Sequence, residues 1–535
     1  MFLAHGSLLQ GHSYVGIGTD PPQFMWFLTW WPYAITHGLD PLFSPYVWAP
    51  AGSDIAAATS VPTLAFMMWP VTAVVGPVEA YNVLAIASPI VAATGCFLVC
   101  WLLTKSPWAS IVSGWLFAFS AYEFGHLIND AHMFFVGWIP FLVALFILRF
   151  RHQVRAGSFF VATALLLLLQ FGTSLEVLAT FTFLLGCTGV LAYLFCSSDR
   201  RQLISLGVLI GLAYVMVTVI TLPFEVALLQ GMHQLHPPTT AYVADLANYL
   251  VPTPITALGG QWATSLSRHF TGNVAENAAY LGLPAMAICL WWAATHWSSG
   301  WVRVVFGVWL IAIGLSLGPN IHVLGSAVTA GPWALVERLP LLSYALPVRL
   351  ALYTSLATAL MVGMWLTEVG RRGSWRTALA VSGACVAVVS VWPSAGPVPG
   401  LWETPLTVPA VFTQQVYAKV IPEGATVVVL PYGVTGDSML WQAEDKMRFR
   451  MAGGYVAGFT PLPFLRYSVV EMFYQNHPAP GFQGALVRFV RAHKVDEIVI
   501  AASDMGPWAA AMKRLQWGYK RLGGAYVFMV PRGLR

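Results

Sequence analysis

The chain reads as an α-helical polytopic membrane protein of about ten spans, ending in a small external α/β C-terminal domain. Three observations carry this. Of 535 residues, 57% are hydrophobic and 9% charged, and apolar runs of span length recur to about residue 393. Beyond that point the pattern turns to short strands and amphipathic helices of soluble type. Finally, the few charges are sorted by side. One set of connections holds Lys105, Arg149, Arg151, Arg155, Arg200, Arg201, Arg303, Arg371, Arg372 and Arg376 against Asp199 and Glu368. The opposite connections hold 11 acids against Arg268, Arg338 and Arg349. The positive-inside rule makes the basic side cytoplasmic and puts any chemistry on the outer face.

Residues 1–77 read as an external first loop with interfacial helices. Met1–Gly6 is too short for a span and lacks the charged start of a signal peptide. The parity of the spans puts both termini outside, so the natural protein is expected to carry one more helix upstream. An upstream coding sequence without an apolar segment would refute that. Within residues 20–37, Asp20-Pro21-Pro22 opens a stretch containing Phe24, Trp26, Phe27, Trp30, Trp31 and Tyr33. It suggests a helix lying at the outer interface, a depth Trp and Tyr favour. Residues 61–76 suggest a re-entrant or interfacial helix broken by Pro70.

The membrane domain, 78–393, is expected to hold spans near 78–104, 107–122, 133–150, 157–172, 177–196, 203–222, 279–296, 301–317, 348–369 and 376–393. A large external loop covers 223–278 and a second one 318–347. All six cysteines fall inside the apolar runs, which implies no structural disulfide and no zinc spacing. Pro393, Pro397 and Pro399 mark a linker into the external domain, 394–535. There Val427–Leu430, Glu497–Ala501 and Tyr526–Val530 read as strands, Phe482–Ala492 and Trp508–Trp517 as amphipathic helices. That region carries the whole net charge of +5, with 14 basic and 9 acidic residues, but no basic face with base-reading chemistry. Nucleic acid is excluded as a partner.

Asp20 leads the candidate residues. Followed by Pro21, it fits a helix N-cap, and it also fits a carboxylate at the lipid–water border able to act as a general base. Glu123-x2-His126-x3-Asp130-x-His132 is a second cluster. On a helix His126 and Asp130 share a face, and the set suits either a divalent cation (Mg or Mn) or hydrogen bonds to phosphate or sugar. The competing interpretation is a solvated loop end. Arg349, at the outer end of a span, and Arg268, in the long loop, present the planar donor fork that phosphate favours. The bland alternative has Arg349 snorkelling or paired with Glu337 and leaves Arg268 a surface charge. Glu176 sits at an outer turn near membrane depth, where an acid is costly. Glu225, His233, His236, Tyr242, Asp245, Trp262 and Glu276 furnish the long loop with groups that suit sugar hydroxyls and ring faces.

Gly18-Thr19-Asp20-Pro21 … Trp26 … Trp30-Trp31-Pro32 … His37-Gly38-Leu39-Asp40-Pro41-Leu42-Phe43 … Trp48-Ala49-Pro50-Ala51-Gly52 resembles the first external loop of bacterial GT-C glycosyltransferases. Weaker matches follow in order along most of the chain: His126 … His132, Ala275-Glu276 … Tyr280-Leu281-Gly282, Pro347-Val348-Arg349, and Met439 … Gln442 … Gly453-Gly454-Tyr455. The resemblance implies a bacterial cytoplasmic-membrane enzyme of GT-C fold that uses a polyprenyl-phosphate sugar. It implies inverting transfer to an acceptor on a glycan, lipid or protein, with Asp20 at the family's catalytic acidic position. Arg349, Arg268, His126 and His132 would then face the donor phosphate. Asp130, Glu176, Glu225, His233, His236, Asp245, Glu276, Gln442 and Tyr455 would contact substrate. Asp20 lacks the adjacent second carboxylate of many relatives, so metal use is left open. The competing class is a transporter or flippase of lipid-linked glycans, which would place polar groups at the midplane and show repeats. A glycan polymerase or ligase would carry more basic residues in its outer loops.

Overall fold

The computed structural model describes residues 12–231, 241–339, 342–370, 374–394, 402–413, 421–456 and 460–535. His233 and His236 lie outside the described residues. By contacts the chain divides into two compact units: Ala85–Thr221 with His236–Trp402, and Ala4–Leu84 with Leu222–Leu235 and Glu403–Arg535.

In the first unit, each of the ten apolar runs contains a helix. Among the described residues, five helices are long and apolar enough to cross a membrane: Pro77–Thr104, Ala131–Phe150, Leu175–Phe195, Ser197–Gly231 and Pro347–Val369. The remaining expected spans are helices of only 12 to 17 residues: Pro107–Ala118, Ala156–Phe171, Leu283–Thr295, Gly300–Ser316 and Ser374–Ser390. Local chemistry explains where they stop. Ser120 caps a new short helix, Ala121–His126, so the second run breaks at Phe119. Gly282, at φ +82°, breaks residues 279–282 away from the helix that follows. In the other direction, the run expected to end at 222 continues as helix Arg200–Gly231 through Pro223. The large loop therefore starts at least eight residues later than the sequence suggests.

Small residues bring the helices together. Ser113 Oγ donates to Ala359 O at 2.7 Å, and a Cβ on Gly114 would lie 2.7 Å from Ala93 O. Such close backbone approach is how helices associate where lipid removes the hydrophobic drive between them. Arg200–Gly231 is different: its 18-residue apolar window is only 17% buried. Within this unit its packed seam is Ile210, Ala213, Val217 and Thr221.

The second unit holds a five-stranded sheet in the order Tyr519–Leu522, Ala525–Met529, Glu497–Ala501, Thr426–Leu430, Arg450–Met451. The central pairings of Thr426–Leu430 are parallel, and those of Ala525–Met529 antiparallel. Helices Phe482–His493 and Met505–Leu515 bury Leu486, Phe489, Val490, Trp508 and Met512. The strands and helices anticipated for 394–535 are therefore present, within two or three residues at their ends.

The first loop does not stand as a separate region of 77 residues. Ser13–Val15 pairs with Glu403–Pro405, and helix Asp20–Thr36 packs on Ser438–Glu444 and Pro62–Val75. Trp26 and Trp30 are fully buried and stacked at 5.4 Å, so they are part of a protein core. Their indole N–H groups find protein acceptors, Gln442 Oε1 at 2.6 Å and Pro41 O at 3.0 Å. Pro62–Val75, in contrast, buries only Leu64 and Ala65 and leaves Val74 and Val75 exposed.

Candidate functional sites

In the second unit, Asp20 is the first residue of helix Asp20–Thr36, with Thr19 at the N-cap. It is half-buried, and its Oδ1 accepts a hydrogen bond from Tyr455 Oη at 2.9 Å. An acid in the first turn sits at the favourable end of the helix dipole. The tyrosine lies 435 residues further along the chain, so the carboxylate is held by tertiary structure and not only by local capping. Gln442 is a correction. It is fully buried, with Oε1 taken by Trp26 and Nε2 donated to Tyr46 O and Phe449 O. Its amide ties the helices together and offers nothing to a substrate. Glu225 lies on helix Arg200–Gly231 instead of in a loop.

The first unit assembles a buried ionic cluster from four segments of the chain. Arg349 Nε and Nη2 donate to Glu276 Oε1 at 3.0 and 2.6 Å, and Nη1 donates to Glu176 Oε2 at 2.5 Å. Asp130 Oδ2 lies 3.8 Å from Arg349 Nη2. Arg349 is thus paired with Glu176 and Glu276, not with Glu337 and not snorkelling. Three of its five N–H groups are taken and two remain. Glu176 Oε1 also accepts the Leu346 N–H at 2.7 Å.

His126 sits between two of these acids, with Nδ1 3.5 Å from Asp130 Oδ2 and Nε2 3.9 Å from Glu276 Oε2. The solvated loop end is ruled out here: Glu123 and His126 are each 1% exposed, and Asp130 and His132 are also buried. Gly125 makes this possible. A Cβ there would lie 2.5 Å from Ala275 O, so glycine lets the short helix close onto the Glu276 segment. Burial would push the Asp130 acid up, but the adjacent His126 imidazole and the Arg349 charge outweigh it and hold the carboxyl below its usual range.

Donor atoms of His126, Asp130 and Glu276 all lie within 4.8 Å of one another. His126 Nδ1 and Glu276 Oε2 are buried with no hydrogen-bond partner. A mixed N and O donor set with two unsatisfied buried atoms fits a divalent cation of the Mg or Mn kind. The three carboxylates of the cluster also outnumber its one guanidinium. No spacing rule could reach this set, because Glu276 and Arg349 join the local His126–Asp130 pair only through the fold.

Asp245 is a second correction. Fully buried, it accepts N–H groups from Ala247, Leu324 and Gly325, which fixes the turn of hairpin Asn320–Ala330. Its oxygens serve the backbone and not a sugar. Arg268 is exposed and lines a cleft of about 350 Å³ together with Thr256, Gln261, Thr264 and Ser394. No ion pair to it occurs among the described residues.

The fold is similar to that of solved membrane glycosyltransferases. Over 98% of its length the chain aligns with the oligosaccharyltransferase of Archaeoglobus fulgidus, at 12% identity and a TM-score of 0.50, covering 73% of that protein. It aligns over 93% with the mycobacterial arabinofuranosyltransferase AftD, at 13% identity and a TM-score of 0.55, spanning 34% of that larger chain. ArnT from Cupriavidus metallidurans aligns over 98% of this chain and 96% of its own, at 13% identity and a TM-score of 0.48. No family model matches the sequence, and no curated protein matches it.

Proposed function

We propose that this protein transfers a sugar from a polyprenyl-phosphate-linked donor to an acceptor hydroxyl on the outer face of the cytoplasmic membrane. The observation that carries this reading is the Asp20 carboxylate, held by Tyr455 at the first turn of its helix, in a chain of GT-C fold. Asp20 takes the proton of the acceptor hydroxyl as that oxygen bonds to the anomeric carbon. The bond from that carbon to the phosphate oxygen breaks, the lipid phosphate leaves with the electron pair, and the configuration inverts. Tyr455 keeps the carboxylate oriented. The exposed Arg268 and the two remaining N–H groups of Arg349 are the donors assigned to the lipid phosphate, with His132 beside them.

His126, Asp130 and Glu276 would hold a divalent cation, which when bound supplies positive charge against the phosphate. Glu176 keeps Arg349 aligned through the Leu346 and Arg349 contacts. The acceptor, whether glycan, lipid or protein, is expected to meet the C-terminal domain, placed outside the membrane.

Mass spectrometry of surface glycans from wild-type, deletion and Asp20→Asn cells at matched protein levels tests this. Loss of one sugar in both mutants supports transfer with Asp20 as the base. Loss in the deletion alone moves the base elsewhere, and no change in either brings transport of a lipid-linked glycan forward.

A further inference from the structure

Ser120-Ala121-Tyr122-Glu123 has the form of a capping box, in which the Glu carboxylate returns to the Ser N–H. Only half of it forms. Glu123 N donates to Ser120 Oγ at 3.3 Å, but Ser120 N donates to Phe117 O at 3.2 Å. The Glu123 carboxyl reaches instead to Ser88, on helix Pro77–Thr104, and its Oε1 is hydrogen-bonded to Ser88 Oγ. Ser88 Oγ also lies 2.6 Å from Phe134 O.

A hydroxyl has one hydrogen and a backbone carbonyl none. Two full, unshared hydrogen bonds at Ser88 Oγ therefore need a second proton, which a protonated Glu123 supplies. The acid then donates to Ser88 Oγ, and Ser88 donates to Phe134 O. The surroundings agree. Glu123 is 1% exposed, its Oε2 has no partner, and no ion pair reaches it among the described residues. An ionised carboxylate there would be an uncompensated buried charge. Burial pushes this acid well up, against the lowering effect of Ser88.

This relay grips both ends of the segment that carries the ionic cluster. Glu123 is one turn before His126 on the same helix, and Phe134 N donates to Asp130 O at 2.9 Å. We propose that Glu123 is a neutral positioning acid whose hydrogen bond to Ser88 sets His126 and Asp130 at the spacing the cation requires. The proposal rests on the cation reading of that cluster given above.

The test uses the full-length protein in detergent, with Glu123→Gln and Glu123→Ala. The amide of Gln donates to Ser88 as the neutral acid does, whereas Ala cannot. Infrared difference spectra of wild type against Glu123→Gln should show the deuterium-sensitive carbonyl band of one protonated acid. Mn²⁺ titration, with free Mn²⁺ read by electron paramagnetic resonance, should give Glu123→Gln an affinity near wild type. Glu123→Ala should be weakened roughly 10–100-fold, as for other outer-shell partners of metal ligands. An absent band, or Glu123→Gln as weak as Glu123→Ala, overturns the proposal. If the wild type binds no Mn²⁺, the cation reading fails separately. Amide exchange over residues 126–134 then decides: faster in Glu123→Ala but not in Glu123→Gln upholds the positioning role, and equal rates in all three end it.

Discussion

Replacing Arg349 by Met tests whether the ionic cluster is one electrostatic unit. The side chain volume is nearly kept, so the loss is of charge and hydrogen bonds. Arg349 is 12% exposed and gives three short bonds to two carboxylates. After the change Glu176 still accepts the Leu346 N–H, while the nearest basic group to Glu276 is His126 Nε2 at 3.9 Å. Removing one partner of a single buried pair costs about 3–5 kcal/mol, and here two acids are stranded, so the upper end applies. At about 2.1 cal/mol/K of unfolding entropy per residue, a unit of about 300 residues shifts by roughly 1.6 °C per kcal/mol, so the midpoint should fall by about 8 °C. Thermal unfolding of detergent-solubilised protein measures this. The triple variant Arg349→Met, Glu176→Gln, Glu276→Gln should recover most of the loss, because the two acids bonded to Arg349 are then neutral and Asp130 keeps His126 at 3.5 Å. A single variant within about 1 °C of wild type, or a triple variant no better than the single, would refute the reasoning.

Four further outcomes are expected. Asp20→Asn should lower sugar transfer roughly 10²–10⁴-fold with little change in stability, whereas Tyr455→Phe, losing one bond to a charged group, should cost about 10-fold, both read by glycan mass spectrometry. Gln442→Leu should destabilise the second unit by roughly 2 kcal/mol or more, since the Trp26 N–H and the Phe449 carbonyl lose their partner while Tyr46 O keeps the Met451 N–H; denaturant midpoints check this. Chelation followed by Mn²⁺ addition should remove and restore transfer, and Glu276→Gln should raise the Mn²⁺ requirement about 10-fold or more. Stability of the C-terminal sheet should depend on pH from both sides. Burial raises Glu497 and Asp445 to about 7, so their contribution falls as pH rises from about 4.5 through 7. Burial lowers His493 to about 4, so its contribution falls as pH drops from about 6.5 through 4. With two such acids against one histidine, amide exchange in Glu497–Ala501, corrected for intrinsic rates, should be slowest at about pH 4–4.5 and speed up as pH rises toward 7.

Patterns of local period were legible in the sequence, and partners were not. The strands at Thr426–Leu430 and Glu497–Ala501 announce themselves as β-branched runs, and Phe482–His493 as an amphipathic helix, because each pattern is complete within a dozen residues. The apolar runs likewise gave each membrane helix its approximate place. Lengths failed where a single residue overrides hydropathy, as Ser120 and Gly282 do by ending helices and Pro223 does by failing to end one. The aromatic run at Trp26–Trp31 has the composition of a membrane-interface belt, and only Gln442 and Pro41, remote or looped back, turn it into a core. In the same way the letters Glu123, His126, Asp130 and His132 suggested a site. That Glu123 leaves the cluster for Ser88, and that Arg349 and Glu276 enter it, depends on long-range packing that no spacing encodes.

The pairing of Ser13–Val15 with Glu403–Pro405, and the bond between Asp20 and Tyr455, join the two ends of the chain. During synthesis the N-terminal acid is made first, yet its tyrosine partner leaves the ribosome about 435 residues later, on the order of 20–90 s at ordinary elongation rates. A chain cut short anywhere before Tyr455 therefore carries an Asp20 without its tethering hydroxyl, and a helix Asp20–Thr36 whose Trp26 has no Gln442 to bind. The orientation of this acid is thus fixed only after the segment carrying Tyr455 has been made, late in the order of synthesis.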